Sequence, residues 1–190
     1  MDAIQRNLKQ HNLVSPLPDS VHLLGNFFIP MKEIQLTQGK VALVDDEDYD
    51  YLMKWKWHAV KYSNNFYAAR TQKICEGKKT AILMHRVIIN NKNTKMHTDH
   101  INGNGLDNRK INLRICTHSQ NLMNRGASIN NKIRYKGVSY IEKINKFRVQ
   151  IMVNKKNTTI GYYINPIDAA RAYNEAAIKF HQEFANLNEI

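Results

Sequence analysis

The chain has 190 residues, a formal net charge of +12 and a sequence pI of about 9.7. Its length suits one ordinary domain or two small ones, and an apolar content of 43% predicts a packed core. No apolar run approaches the roughly 20 residues that a membrane span requires. The strong positive charge makes a polyanion the first binding partner to consider.

The positive charge is concentrated in the middle of the chain. Residues 1–60 hold 6 basic and 8 acidic side chains, residues 61–134 hold 14 and 3, and residues 135–190 hold 8 and 5. The central stretch is therefore predicted to present a phosphate-facing surface. Cys75 and Cys116 are too isolated for a disulfide framework or a cysteine zinc site. Reduced thiols and the lack of a signal-peptide pattern predict a cytoplasmic protein, in a host cell if phage-encoded.

The first 30 residues look unlike the rest. They show no sustained hydrophobic periodicity of a helix or strand, and Pro16, Pro18 and Pro30 would interrupt one. We expect a weakly ordered leader here, regular structure from Met31, and Met31 as an alternative start.

Short strands and one helix are predicted next. Alternation predicts strands at "IQLT" and "KVALV", and "DDEDYDYLMKWKW" is typical of a helix with Asp45 or Asp46 as N-cap. "HAVKY" and "FYAAR" flank "SNN" as a hairpin. The run "TAILMHRVII" suits a buried strand or a short helix, and periodicity does not choose between them.

Residues 125–134 are polar, rich in asparagine and basic, which predicts a linker and a domain boundary. Three strand-like segments follow, "YKGVSYI", "KFRVQIMV" and "NTTIGYYI". A helix is predicted after them, with Asn165 as N-cap and Pro166 at its first position. Its apolar face should pack on the sheet and comprises Ala169, Ala172, Tyr173, Ala176, Ala177 and Phe180.

Asp99 and His100 place a carboxylate beside an imidazole in "TDHINGN". Taken alone, this pair is more typical of a turn whose side chains cap backbone groups than of a catalytic site. The sequence from residue 99 to 125, "DHINGNGLDNRKINLRICTHSQNLMNR", predicts strand, loop, strand and helix, with Thr117 or Ser119 as the helix cap. Asn121 then falls within the helix.

This set suits hydrolysis of a phosphodiester. A hard divalent cation binds oxygen ligands, which Asp99 can supply from its carboxylate and Asn121 from its amide. An imidazole beside that site, with a pKa near 6.5, can take a proton from the attacking water. Adjacent strand residues point to opposite faces, so both side chains reach one site only if the strand bends.

The segment resembles the HNH nucleases of the ββα-metal type, and closely the homing endonucleases of phage introns. The resemblance is dense over residues 99–125 and thinner back to about Met31. It implies Asp99 and Asn121 as metal ligands, His100 as general base, and Asn112 as an asparagine that braces the loop and orients the histidine. "LDNR" and "NLR" also match the family's pattern.

The metal implied is one Mg²⁺ or Mn²⁺ ion. Many family members carry a zinc held by four cysteines, which this chain lacks, so no structural zinc is expected. Asparagine in place of a final histidine ligand also favours a harder ion. His97 and His118 are expected in loop or cap positions, and His85 in a structural role. The guanidinium groups of Arg109, Arg114 and Arg125 either clamp phosphates or are solvated.

Residues 135–190 resemble the AP2/ERF DNA-binding domain through "YKGVSY", "KFRVQI", "IGYY", "DAARAYNEAA" and "ANLN". The resemblance implies a sheet lying in the major groove of double-stranded DNA, with the helix behind it. Lys136, Arg148 and Gln150 would lie on or near the groove face, and phosphate contacts would come from Lys143, Lys146, Lys155 and Lys156. Ser139, Met152 and Thr159 depart from the plant members, so their sequence preference does not transfer.

The sequence thus predicts an α+β protein. A ββα-metal core with a β-rich N-terminal extension spans residues 31–124, a linker spans 125–134, and a three-stranded antiparallel sheet with one helix spans 135–190. The predicted activity is metal-dependent cleavage of DNA by a monomer, with a dimer left open. The alternative is a sequence-specific DNA-binding regulator on a non-catalytic scaffold. RNA as substrate, and cleavage of one strand or both, stay open.

Overall fold

The computed structural model describes residues 21–24, 27–75, 77–128 and 130–190. The predicted leader falls mainly on residues 1–20, which lie outside the described residues. Regular structure nevertheless begins earlier than the predicted Met31, because Val21–Leu24 pairs with Phe27–Gln35 as an antiparallel strand pair.

The described part of the chain is mixed α+β, as predicted, with small antiparallel sheets and four α-helices. The strands are β1 (Val21–Leu24), β2 (Phe27–Gln35), β3 (Val41–Asp45), β4 (His58–Tyr62), β5 (Asn65–Cys75), β6 (Lys78–Leu83), β7 (His97–His100), β8 (Leu113–Cys116), β9 (Val138–Ile141), β10 (Lys146–Val153) and β11 (Lys156–Tyr163). The helices are α1 (Asp46–Leu52), α2 (Met84–Ile89), α3 (His118–Asn124) and α4 (Pro166–His181). None of the helices in these described ranges is long and apolar enough to cross a membrane.

Four sheets organise these strands: β1-β2-β3, β4-β5-β6, β7-β8 and β11-β10-β9. The run "TAILMHRVII", whose structure periodicity left open, contributes to both kinds of element, since β6 ends at Leu83 and α2 starts at Met84. The hairpin predicted around "SNN" is the β4-β5 pair.

The N-terminal core joins the first two sheets to their helices. Its buried apolar side chains come from β2, β3, α1, β5, α2 and the segment before β4, and comprise Ile34, Ala42, Val44, Leu52, Trp57, Ala68 and Met84. Helix α1 ends at Leu52, before the end of the predicted helix, and the Trp57 indole donates its Nε1–H to the Leu52 carbonyl at 2.8 Å. That bond satisfies one of the carbonyls that a helix end leaves free.

Asp45 precedes α1 in extended conformation but makes no side-chain cap hydrogen bond. Its Oδ2 accepts instead from the backbone N–H of Lys110 at 2.7 Å. Asp45, one of the two predicted N-cap residues, thus bonds the loop between β7 and β8 and fixes it against the start of α1.

A second core lies between the C-terminal sheet and α4. Val138, Val149 and Ile151 pack against Ala169, Tyr173 and Ala177. Asn165 caps α4 as predicted, its Oδ1 accepting from the N–H of Ile167 at 2.8 Å. The prediction of Phe180 on the packed face was wrong: Phe180 is exposed, and His181 is buried there with its Nε2 at 2.8 Å from the Met152 carbonyl oxygen.

Candidate active site

The predicted order of strand, loop, strand and helix is present between residues 97 and 124. Strands β7 and β8 pair antiparallel, so that Asp99 lies opposite Arg114 and His100 opposite Leu113. Thr117 caps α3 through a capping box with Gln120, in which each side chain bonds the other residue's backbone N–H. Both Asp99 and His100 therefore lie on a strand whose partner and following helix are firmly defined.

The loop between β7 and β8 is held by its own polar side chains. Asn112 accepts from the N–H of Asn102 at 2.9 Å and donates to the Asp107 carbonyl at 2.8 Å. Asp107 and Arg109 form a bidentate ion pair with both N–O distances at 2.7 Å. Arg109 shields the Asp107 carboxylate from protonation: burial opposes ionisation, but the guanidinium outweighs it and the pKa of Asp107 is lowered. A loop rich in asparagine and glycine is rigid for this reason.

The same loop is attached to strand β3. The N–H of Asn108 donates to the Leu43 carbonyl at 2.8 Å, and the N–H of Leu43 donates to the Leu106 carbonyl at 2.9 Å. These bonds fix the loop, and hence β7, against the N-terminal core.

Asn108 is a site residue that the sequence analysis did not single out. It is fully buried, its Nδ2 donates to the Leu106 carbonyl at 3.1 Å, and its Oδ1 is 3.4 Å from His100 Nε2. Because the amide nitrogen is already engaged, the oxygen faces the imidazole as an acceptor. His100 Nε2 then carries the proton, and Nδ1 is left with a lone pair that can accept one. The histidine contact predicted for Asn112 is made by Asn108.

The imidazole of His100 is enclosed by aromatic rings. His85 meets it edge to face with ring centroids 4.9 Å apart, and the Tyr67 ring lies at 5.8 Å. Burial lowers the pKa of His100, against the opposing effects of the Asn108 hydrogen bond and the Asp99 charge. The pKa of His85 falls to about 3, through burial and the neighbouring His100 and Arg86. His85 is thus a neutral ring packed directly against the candidate base.

Asp99 is buried and accepts hydrogen bonds from two side chains. Arg114 donates to Oδ2 from Nε at 3.0 Å and from Nη2 at 2.9 Å, and Asn124 Nδ2 lies 3.2 Å from Oδ1. An ionised carboxylate offers roughly four lone-pair directions, so these three bonds leave Oδ1 able to bind a cation. Asn124, three residues after Asn121 on α3, was also missed, although the spacing puts both amides on one helix face.

Asp99, His100 and Asn121 line one cavity of about 900 Å³. Within the described ranges no cluster of three or more histidine, cysteine, aspartate or glutamate side chains surrounds a metal position. A carboxylate and an amide oxygen that share a cavity fit a hard ion such as Mg²⁺, which keeps several waters and takes one or two protein ligands.

Two cations line the same cavity from beyond α3. Arg125 follows the helix and is exposed, and Lys136 is half-buried with its ammonium donating to the Met123 carbonyl. Burial and the charge of Arg125 lower the pKa of Lys136 to about 8. Lys136 therefore lines this cavity, whereas the AP2/ERF resemblance placed it on or near the groove face of the C-terminal sheet.

The other residues predicted to contact DNA fall into three sets. The guanidinium groups of Arg109 and Arg114 are engaged internally with Asp107 and Asp99, which leaves neither free to clamp a phosphate. Arg148 and Gln150 lie on β10 opposite Ser139 and Thr159, on the face away from α4. The turn lysines are all exposed: Lys143, Lys146, Lys155 and Lys156.

One relative with a related sequence is an uncharacterized HNH endonuclease of Acanthamoeba polyphaga mimivirus. It is 29% identical to this chain over 160 residues, which covers 80% of this chain and 77% of the relative. No family model matches the chain. No solved structure matches it either.

Proposed function

We propose that the protein is a metal-dependent endonuclease of the HNH type that hydrolyses phosphodiester bonds of double-stranded DNA. The observation that carries the proposal is the meeting of Asp99, His100 and Asn121 in one cavity of about 900 Å³. The similarity to a protein named as an HNH endonuclease supports it at the level of the family.

In this proposal Asp99 and Asn121 hold one Mg²⁺ or Mn²⁺ ion. When bound, the ion would stabilise charge on the scissile phosphate and on the leaving oxygen. Asp99 Oδ1 would face the ion, while Arg114 keeps Oδ2. Asn121 would contribute its amide oxygen from α3, which Thr117 anchors to the end of β8.

His100 acts as the general base. Its Nδ1 takes a proton from the attacking water, because Asn108 retains the proton on Nε2. Burial favours the neutral imidazole, which is the form that accepts a proton at neutral pH. Asn112 holds the loop, and Arg125 with Lys136 offers positive charge to the phosphates that enter the cavity.

The C-terminal sheet binds the duplex. Its outer face carries Arg148 and Gln150, and its two turns carry exposed lysines. A sheet can enter the major groove, and lysines at its edges can contact phosphates. The resemblance of this segment's sequence to the AP2/ERF domain implies the same orientation and gives no target sequence.

Purified protein incubated with supercoiled plasmid and MgCl₂ tests the activity. We expect wild type to nick or linearise the plasmid, EDTA to stop it, and His100→Ala and Asp99→Ala to abolish cleavage while retaining DNA binding in EDTA. His118→Ala is the matched control, since this exposed histidine lies at the start of α3. Plasmid that stays intact with every metal and every source sequence would favour the DNA-binding regulator instead.

A further inference from the structure

Arg114 connects the candidate metal ligand to the C-terminal unit. One edge of its guanidinium holds Asp99 Oδ2 through Nε and Nη2, and its Nη1 donates to the Glu183 carbonyl at 2.5 Å. The guanidinium carbon also lies 4.0 Å from the centroid of the Phe184 ring. The planar group is therefore fixed on both edges and across one face.

The Asp99–Arg114 and Arg114–Phe184 parts of this contact are largely shielded from water, whereas the bond to the Glu183 carbonyl is exposed. The side chains of Asp99 and Arg114 are 7% and 15% exposed, and Phe184 is 6% exposed. The two hydrogen bonds from the guanidinium to Asp99 Oδ2 are charge-assisted, and such bonds are roughly twice as strong as those between neutral groups. The attraction of a cation to an aromatic face also grows when the pair is removed from water. The geometry of the Asp99 carboxylate thus depends, through Arg114, on a carbonyl that lies 69 residues beyond Arg114 in the chain.

The segment that carries Glu183 and Phe184 is anchored to the C-terminal core. It is a 3-10 turn, Gln182–Phe184, which directly follows α4. His181, immediately before it, is buried and bonded to the Met152 carbonyl of β10, and Asn188 beyond it bonds Asn174 of α4 in both directions. These bonds attach the segment that carries Phe184 to the C-terminal sheet and helix.

We propose that the C-terminal unit positions the metal ligand Asp99 through Arg114, so that its docking on the nuclease segment raises metal affinity as well as supplying DNA contacts. Arg114 and Phe184 are positioning residues in this scheme. The inference rests on the proposed function, in which Asp99 binds the ion. Loss of a group that orients a metal ligand typically weakens metal affinity or activity by about 10–100-fold.

The direct test is Mn²⁺ binding to the full chain without DNA, measured by electron paramagnetic resonance of the free ion. Phe184→Leu keeps apolar volume but removes the ring, and Phe180→Leu makes the same change at an exposed site near the end of α4. We expect Phe184→Leu to raise the Mn²⁺ Kd about tenfold and Phe180→Leu to leave it unchanged. Arg114→Gln should raise it further, and Arg114→Lys should recover part of the loss.

Two outcomes separate the inference from the proposed function. If Asp99→Ala binds Mn²⁺ as wild type does, the ligand assignment is wrong and the proposed function fails with it. If Asp99→Ala loses binding but Phe184→Leu and Arg114→Gln bind normally, the positioning role is overturned and the nuclease proposal survives. DNA affinity in EDTA should be unchanged in Phe184→Leu, whereas a general loss of fold would lower it.

Discussion

At the candidate active site, two asparagines share the two roles that the sequence assigned to Asn112 alone, bracing the loop and orienting the histidine. Asn112 bonds Asn102 and Asp107 within the loop, and Asn108 bonds the imidazole of His100. Spacing could predict that an asparagine supports the histidine. It could not predict which one, because the loop doubles back and the contact depends on the Leu43 and Leu106 carbonyls that hold Asn108 in place.

Replacing Asn108 tests the tautomer of the base. In Asn108→Ala, His100 Nε2 loses its hydrogen-bond acceptor, so nothing favours the tautomer in which Nε2 carries the proton and Nδ1 can accept one. We expect kcat for nicking to fall by roughly 10–100-fold, less than the 10²–10⁴-fold that proton transfer itself contributes, with DNA affinity unchanged. Asn93→Ala, at an exposed asparagine before β7, should cut at the wild-type rate. An Asn108→Ala protein that cuts as fast as wild type would remove Asn108 from the mechanism.

We expect the buried His85 to make the stability of the fold depend on pH, because burial lowers its pKa. Its pKa is lowered from 6.5 to about 3 in the folded protein, so below pH 6.5 the unfolded chain binds a proton that the folded chain does not. Its contribution to stability is present above pH 6.5 and is lost as pH falls toward 3, at up to about 1.4 kcal/mol per pH unit. Urea unfolding of His85→Gln should show a shallower decline between pH 6 and 4 than wild type. Equal slopes for the two proteins would contradict the assignment.

At the scale of elements, most strands and the long helix follow from periodicity and caps. The alternation of Phe147, Val149, Ile151 and Val153 predicted β10, and the Asn165 cap predicted the start of α4. Element ends were less predictable, because contacts remote in sequence set them. The Trp57 indole donates a hydrogen bond to the Leu52 carbonyl where α1 ends. In the last turn of α4, His181 is buried and Phe180 is exposed, whereas the helical pattern had favoured Phe180 for the packed face.

The loop between β7 and β8 requires glycine at position 105, because a side chain there would collide with β5. A Cβ at Gly105 would lie 2.4 Å from the Phe66 carbonyl oxygen and 2.6 Å from the Tyr67 ring. Gly105→Ala should therefore lower the free energy of unfolding by about 1–3 kcal/mol, the usual cost of overpacking. Because Tyr67 lies against His100, nicking should slow as well.

Gly126→Ala is the control for this change, since its Cβ would meet nothing within 4 Å. It should be neutral or stabilise the protein by up to about 1 kcal/mol through the unfolded chain. Chemical denaturation of both variants gives the free energies of unfolding to compare. A Gly105→Ala protein as stable as Gly126→Ala would mean that the loop does not approach β5 this closely.

At the scale of the whole molecule, two cores with separate hydrophobic clusters meet around a basic cavity. The composition predicted a basic protein with a polyanionic partner and a change of character near residues 125–134. It could not predict that Lys136 would face the cavity, or that Arg114 would reach Glu183. Such contacts depend on how two units dock, which leaves no periodic signal in either one.

The turn lysines of the C-terminal sheet should carry much of the electrostatic affinity for DNA. Each phosphate contact contributes a slope of about −0.9 in log K against log salt concentration. Changing Lys143, Lys146, Lys155 and Lys156 together to Gln should therefore flatten that slope by up to about 3.6. The matched control changes four exposed lysines of the N-terminal part to Gln: Lys54, Lys56, Lys92 and Lys95. A larger effect in the control would relocate the DNA surface.

The central claim is that His100 removes a proton during Mg²⁺-dependent cleavage of DNA. Chemical rescue tests it most directly, with nicking of supercoiled plasmid by His100→Ala measured at saturating MgCl₂ with and without added imidazole. We expect the variant to be inactive alone and to recover measurable nicking in proportion to the concentration of neutral imidazole, while Asp99→Ala gains nothing. A His100→Ala protein that nicks at the wild-type rate without imidazole would contradict the account.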